Sequence, residues 1–238
     1  MWTTETIAGR DAEIFLPSRP FRFPVLFLTD WDDQSPRENP VWERLFEDFQ
    51  LSVYVLKTGD SWWADRPAPG FSEDITPQSW LMTQVAPRVR QQRALSPFGL
   101  IGLGAGGQGA LRLGFKFPKE FRAVASIEGT VDLQELHGRG TSLDTMYATK
   151  EHVRQDTPVL HLRGYDVPPY LWLGCSPDSF WRRGNERLHE KLAALGLPHV
   201  IDFGTAVCGH SWSYYDTMAP RVVRYLAEGL QAESLKLM

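Results

Sequence analysis

Residues 100–113 read LIGLGAGGQGALRL, with five glycines between positions 102 and 109, where an apolar stretch gives way to a helix-forming one. Glycine at this density has few structural uses. It is needed where backbone turns with positive φ, or where it approaches another backbone or a ligand too closely for a side chain. Two motifs fit the spacing. Gly102-x-Gly104-x-x-Gly107 matches the phosphate cradle of a dinucleotide site, in which a helix N-terminus receives the pyrophosphate. Gly102-x-Gly104-x-Gly106 matches the sharp strand-to-helix turn that presents a nucleophilic serine, with glycine in the serine's place.

The pattern on either side alternates strand and helix. Residues 25–28 are continuously apolar between Pro24 and Asp30, as in a strand covered on both faces. A helix is expected over 40–50, with Val41, Leu45 and Phe49 on one side, then a strand over 52–56. Thr76 and Pro77 read as N-cap and first helical residue, followed by a Leu81, Val85, Val89 stripe. Strands over 98–103, 123–127, 170–173 and 199–203 are expected, with helices over 106–117, 186–195 and 214–235, the last one begun or kinked at Pro220. Such alternation implies a mostly parallel sheet with helices on both faces. With no repeat or linker in view, a single domain over 1–238 is expected, with 131–158 as a small cap segment over the C-terminal edge of the sheet.

The 238 residues are 42% hydrophobic and 23% charged, as in a globular protein, and the net charge of −4 argues against a nucleic-acid partner. No stretch has the length and apolarity of a membrane span or a secretion leader. Two cysteines, Cys175 and Cys208, make no disulfide framework, which fits a cytoplasmic location. They also lack metal-ligand spacing, and no cofactor is implied beyond the dinucleotide alternative.

That alternative has Glu128 in its favour, at the end of the next strand, where a ribose-binding carboxylate belongs. Against it, the cradle usually opens its domain, whereas here about a hundred residues precede it. The catalytic-turn alternative draws on residues far downstream. Leu173-Gly174-Cys175-Ser176-Pro177-Asp178-Ser179-Phe180 delivers an aspartate at a strand end, and Cys208-Gly209-His210-Ser211-Trp212 a histidine in a glycine turn. Singly, the aspartate reads as a turn residue and the histidine as a packed ring. Together, in the order turn, acid, base, they form the series of a hydrolase triad.

On these residues the chain resembles the esterase family of α/β-hydrolases that includes esterase D, or S-formylglutathione hydrolase. The resemblance is sharpest in Gly106-Gly107-Gln108-Gly109-Ala110-Leu111, in 184–192 (GNERLHEKL) and in Gly209-His210-Ser211-Trp212. Ser61-Trp62-Trp63-Ala64-Asp65 is similar to the aromatic-rich loop beside that family's acyl pocket. It implies an α/β-hydrolase fold, a small acyl or ester-like ligand, Asp178 as triad acid and His210 as base. It also implies Trp63 at the pocket, and an oxyanion hole from the backbone N–H of Ala105 with that of Asp30 or Trp31.

The chain departs from the family at two places. The nucleophile position holds Gly104, which leaves it vacant and forbids an acyl-enzyme there. The loop that often begins His-Gly reads Thr29-Asp30-Trp31-Asp32-Asp33, whose carboxylates would destabilise an oxyanion unless they point away. The expectation is a non-catalytic or very weakly hydrolytic esterase descendant that keeps its pocket. The alternative is an ester hydrolase, either rerouted through His210 and Asp178, through a water or a thiol of Cys175 or Cys208, or a nucleophile-less variant of an active enzyme. The oligomeric state is left open.

Overall fold

The computed structural model describes residues 1–92, 96–164, 166–207 and 212–236. Eight strands form one sheet: β1 (Trp2–Ile7), β2 (Arg10–Phe15), β3 (Phe23–Leu28), β4 (Leu51–Leu56), β5 (Phe98–Leu103), β6 (Phe121–Ile127), β7 (Tyr170–Gly174) and β8 (Val200–Asp202). Their order is β1-β2-β4-β3-β5-β6-β7-β8. From β4 to β8 every pairing is parallel, while β1 and β2 add antiparallel at one edge. That hairpin is not among the expected strands, because its half-exposed residues lack the continuous apolar run that marks β3.

The helices are α1 (Pro40–Asp48), α2 (Pro77–Trp80), α3 (Ala86–Gln92), α4 (Ala105–Lys116), α5 (Leu143–Met146), α6 (Lys150–Gln155), α7 (Pro158–His161), α8 (Arg182–Ala194) and α9 (Trp212–Leu235). A widened π turn, Leu81–Val85, joins α2 to α3, and the Thr76 hydroxyl caps α2 by accepting from the Ser79 N–H at 3.0 Å.

Strand alternation divides the core in two. Leu26 and Leu28 of β3 face the layer shared with Leu81, Val85, Leu111 and Leu188. Val25 and Phe27 face Trp42 and Phe46 of α1 and Met218, Val222 and Leu226 of α9. β3, β4 and β5 are buried along their whole length, as central parallel strands must be. Pro220 neither starts nor ends α9. The buried run Met218, Ala219, Val222, Val223 and Leu226 on both sides of it offsets the lost backbone hydrogen bond. Residues 131–158 hold short turns of helix, of which Leu133–Leu136 packs on α6; the following α7 packs on α4.

Candidate active site at the strand–helix turn

β5 ends at Leu103, Gly104 turns the chain and α4 begins at Ala105. Gly104 has φ 51° and ψ −115°, a conformation that strains any residue with a Cβ. The turn is tied down on both sides. The Gly104 N–H donates to the Ile127 carbonyl at 2.9 Å, and the Gly104 carbonyl accepts from Gly107, Gln108 and Thr130. Gly106 is required by contact, since a Cβ there would lie 2.1 Å from the Leu28 carbonyl oxygen. The glycine run therefore lets α4 start hard against the C-terminal end of β3.

The loop after β3 then places a carboxylate on the turn. One oxygen of Asp30, Oδ1, accepts from the backbone N–H of Ala105 at 2.8 Å and from that of Trp31 at 2.8 Å. The Tyr215 hydroxyl approaches Oδ2 at 3.4 Å. Burial and then the Asp30 charge push the Tyr215 hydroxyl well above its ordinary pKa, which keeps it a proton donor. A Cβ built on Gly104 would lie 2.3 Å from each atom of that carboxylate. Asp30 thus fills the space that a side chain at position 104 would enter. Asp33 holds the loop in this pose by accepting from the Thr29 hydroxyl and from the backbone N–H groups of Thr58 and Gly59.

A second buried carboxylate lies one strand over. Glu128, at φ 55° just past β6, is fully buried. It accepts from the Ser176 backbone N–H at 2.5 Å and from the Ser179 hydroxyl. Burial, reinforced by the Glu128 charge, pushes the neighbouring Cys175 thiol up to about 12. Beside the turn, a cleft of about 320 Å³ is lined by Asp30, Trp31, Asp32, Gln34, Trp212 and Tyr215 among others.

No family model matches the chain, and no curated protein matches it in sequence. Solved structures do. An S-formylglutathione hydrolase from Agrobacterium tumefaciens superposes with a TM-score of 0.75 at 14% identity, over 97% of this chain and 94% of that one. S-formylglutathione hydrolase from Staphylococcus aureus gives 0.72 at 15% identity, over 95% and 98%. FphF, a fluorophosphonate-binding serine hydrolase of the same organism, gives 0.71 at 14% identity, over 95% and 97%. The chain has the α/β-hydrolase fold.

In an α/β-hydrolase the strand–helix turn carries the nucleophile, and the oxyanion hole is built from the N–H of the next residue and an N–H of the loop after β3. The sequence names Ala105, with Asp30 or Trp31, for those donors; in the structure the Ala105 and Trp31 N–H groups both donate to the Asp30 carboxylate. Of the loop's carboxylates, that of Asp30 points at this position and not away from it. Its capture needs only a one-residue reach to Trp31 and the close approach of α4 to β3.

Asp178, expected as triad acid, is exposed and makes no hydrogen bond or ion pair with the described residues. Besides Asp30, a buried carboxylate at this end of the sheet is Glu128, which sequence reasoning tied only to the dinucleotide alternative. His210 and Cys208 lie outside the described residues. Trp63 does not line the cleft. It is buried, its indole N–H donates to the Thr29 carbonyl at 3.0 Å, and it packs on Gly109 of α4, so that it braces the Asp30 loop from within. Tyr215 gave no signal in the sequence, since its part depends on where α9 is laid against β5. Among the described residues no helix is long and apolar enough to cross a membrane.

Proposed function

We propose that this α/β-hydrolase-fold protein is a non-hydrolytic descendant of the esterases, which binds a small ligand over a turn whose oxyanion seat is filled by its own carboxylate. One observation carries the reading: Asp30 Oδ1 accepts from both the Ala105 and the Trp31 N–H while the carboxylate fills the space a Cβ at position 104 would enter. A tetrahedral oxyanion needs those donors unfilled and aimed at it. With a resident negative charge there, the donors are spent and a second anion is repelled. Gly104 meanwhile supplies no atom for attack.

The test is treatment with a fluorophosphonate probe, read by intact mass, alongside p-nitrophenyl acetate hydrolysis. No adduct and no turnover above the buffer rate are expected. Gly104→Ser alone is expected to remain inert, because its Cβ enters the Asp30 carboxylate. Turnover by the natural chain that disappears in Asp30→Ala would overturn the reading and make Asp30 part of a working site.

A further inference from the structure

We propose that the cleft beside Gly104 takes an organic cation, a small alkylammonium of about the size of choline, seated by the Asp32 carboxylate against the rings of Trp31 and Trp212. The inference rests on the reading of this cleft as a binding site, and names the class of ligand it would hold.

Charge comes first. None of the described residues lining the cleft is Lys, Arg or His, while two are aspartates. Asp32 accepts from the Gln34 backbone N–H at 3.2 Å and from the Gln34 side-chain amide at 2.8 Å, both neutral donors. No ion pair to it is formed among the described residues, so its charge is available to a ligand. At the inner end the Ala105 and Trp31 N–H groups, which could otherwise receive an anion, already donate to Asp30. Arg37 lines the adjoining recess instead, together with Glu38 and Asp216.

The walls decide which cation. Trp212 and Tyr215 meet edge to face, ring centroids 5.6 Å apart at 89°, and form a corner of the cleft. Trp31 also lines the cleft, with about half of its surface exposed, at 53%. A compact metal ion wants six or more oxygen ligands, which aromatic walls do not offer. A weakly hydrated alkylammonium is attracted to aromatic faces and loses little by leaving water. The volume of about 320 Å³ is at the small end of ligand pockets, which suits one headgroup-sized molecule.

Isothermal titration calorimetry with choline chloride tests this, with the uncharged tert-butyl alcohol analogue of choline, potassium chloride and sodium acetate as comparison titrants. Saturable choline binding is expected, at least about tenfold tighter than the uncharged analogue, with no heat of binding from potassium or acetate. Asp32→Asn and Trp31→Ala change exposed side chains, so both variants should keep the parent melting temperature, and each should weaken choline binding about three- to fivefold. Equal affinity for the uncharged analogue, tighter binding of acetate, absence of choline saturation, or binding untouched by both substitutions would overturn the proposal. Failure here is distinct from failure of the function reading, which falls only if the natural chain turns over esters.

Discussion

Gly104 and Asp30 occupy one another's space, and the consequence is measurable without any ligand. A Cβ at position 104 meets two penalties: a backbone at φ 51°, worth about 1–3 kcal/mol, and overlap with a carboxylate 2.3 Å away, worth a similar amount. Gly104→Ala should therefore lower the unfolding free energy by about 2–5 kcal/mol in urea titration. In an Asp30→Ala background the same substitution should cost less by at least about 1 kcal/mol, because only the backbone penalty is left. Strictly additive losses would mean that the two residues do not compete for that space. Cys175 makes a second residue-scale case. Burial, followed by the Glu128 charge, pushes its thiol up to about 12, so almost no thiolate forms near neutrality. Peptide mapping after iodoacetamide treatment at pH 8 should find Cys175 unmodified in the folded protein and modified once urea is added. Labelling of the folded protein at this residue would restore the thiol alternative.

Among the elements, α4 transmits most of the order. Its first turn sets the site, and its far side is fastened by a buried ion pair. The Arg112 side chain, 2% exposed, pairs with Asp156 Oδ1 at 2.5 Å and donates to the Asp156 carbonyl at 2.7 Å. The Tyr147 hydroxyl donates to Asp156 Oδ2 at 2.5 Å. Removing one partner strands a buried charge, so Asp156→Ala should cost about 3–5 kcal/mol by urea unfolding, and a loss below 1 kcal/mol would show that water repairs the gap.

These elements differ in how plainly the sequence announces them. β3, α2 and the glycine turn are legible because local rules decide them: an apolar run for a doubly covered strand, Thr-Pro for a helix start, and glycine where backbones touch. The β1–β2 hairpin escapes because an edge strand needs only one buried face. At the site the glycine turn is legible as backbone, while the place of Asp30 is not, and His210 lies outside the described residues. Ala105, with Asp30 or Trp31, can be named as backbone facing this point from position alone, but the arrival of the Asp30 carboxylate on Ala105 depends on a contact across 75 residues. Trp63 misleads for a related reason, since an aromatic-rich loop looks alike whether its rings line a pocket or brace the floor beneath it.

At the scale of the molecule, several partly buried carboxylates are held below their usual range, and acid should therefore unfold it. Burial alone would raise the Asp156 carboxyl, but the His161 ring 3.5 Å away, the Arg112 guanidinium and the Tyr147 hydroxyl outweigh it and hold it well below normal. Asp65 behaves likewise through Thr76 and Lys116, and Glu13 through Lys57 and Ser35. A group whose folded pKa is depressed contributes stability in full above its unfolded value, and loses it as pH falls toward the folded one. The urea midpoint should thus be flat down to about pH 5 and fall steadily below about pH 4. Asp156→Asn should flatten that fall, and an unchanged slope would remove Asp156 from the account.

The seat of Asp30 also bears on how such a protein could change over generations. A serine arriving first at position 104 collides with a carboxylate and attacks nothing, while loss of Asp30 arriving first bares two N–H groups with no nucleophile beside them. Neither substitution alone would be favoured by selection for turnover. On the function proposed above, the carboxylate therefore acts as a ratchet: with it seated on the turn, a return to ester cleavage requires two coincident mutations, which leaves such a lineage to specialise in what the cleft can hold rather than in what it can cleave.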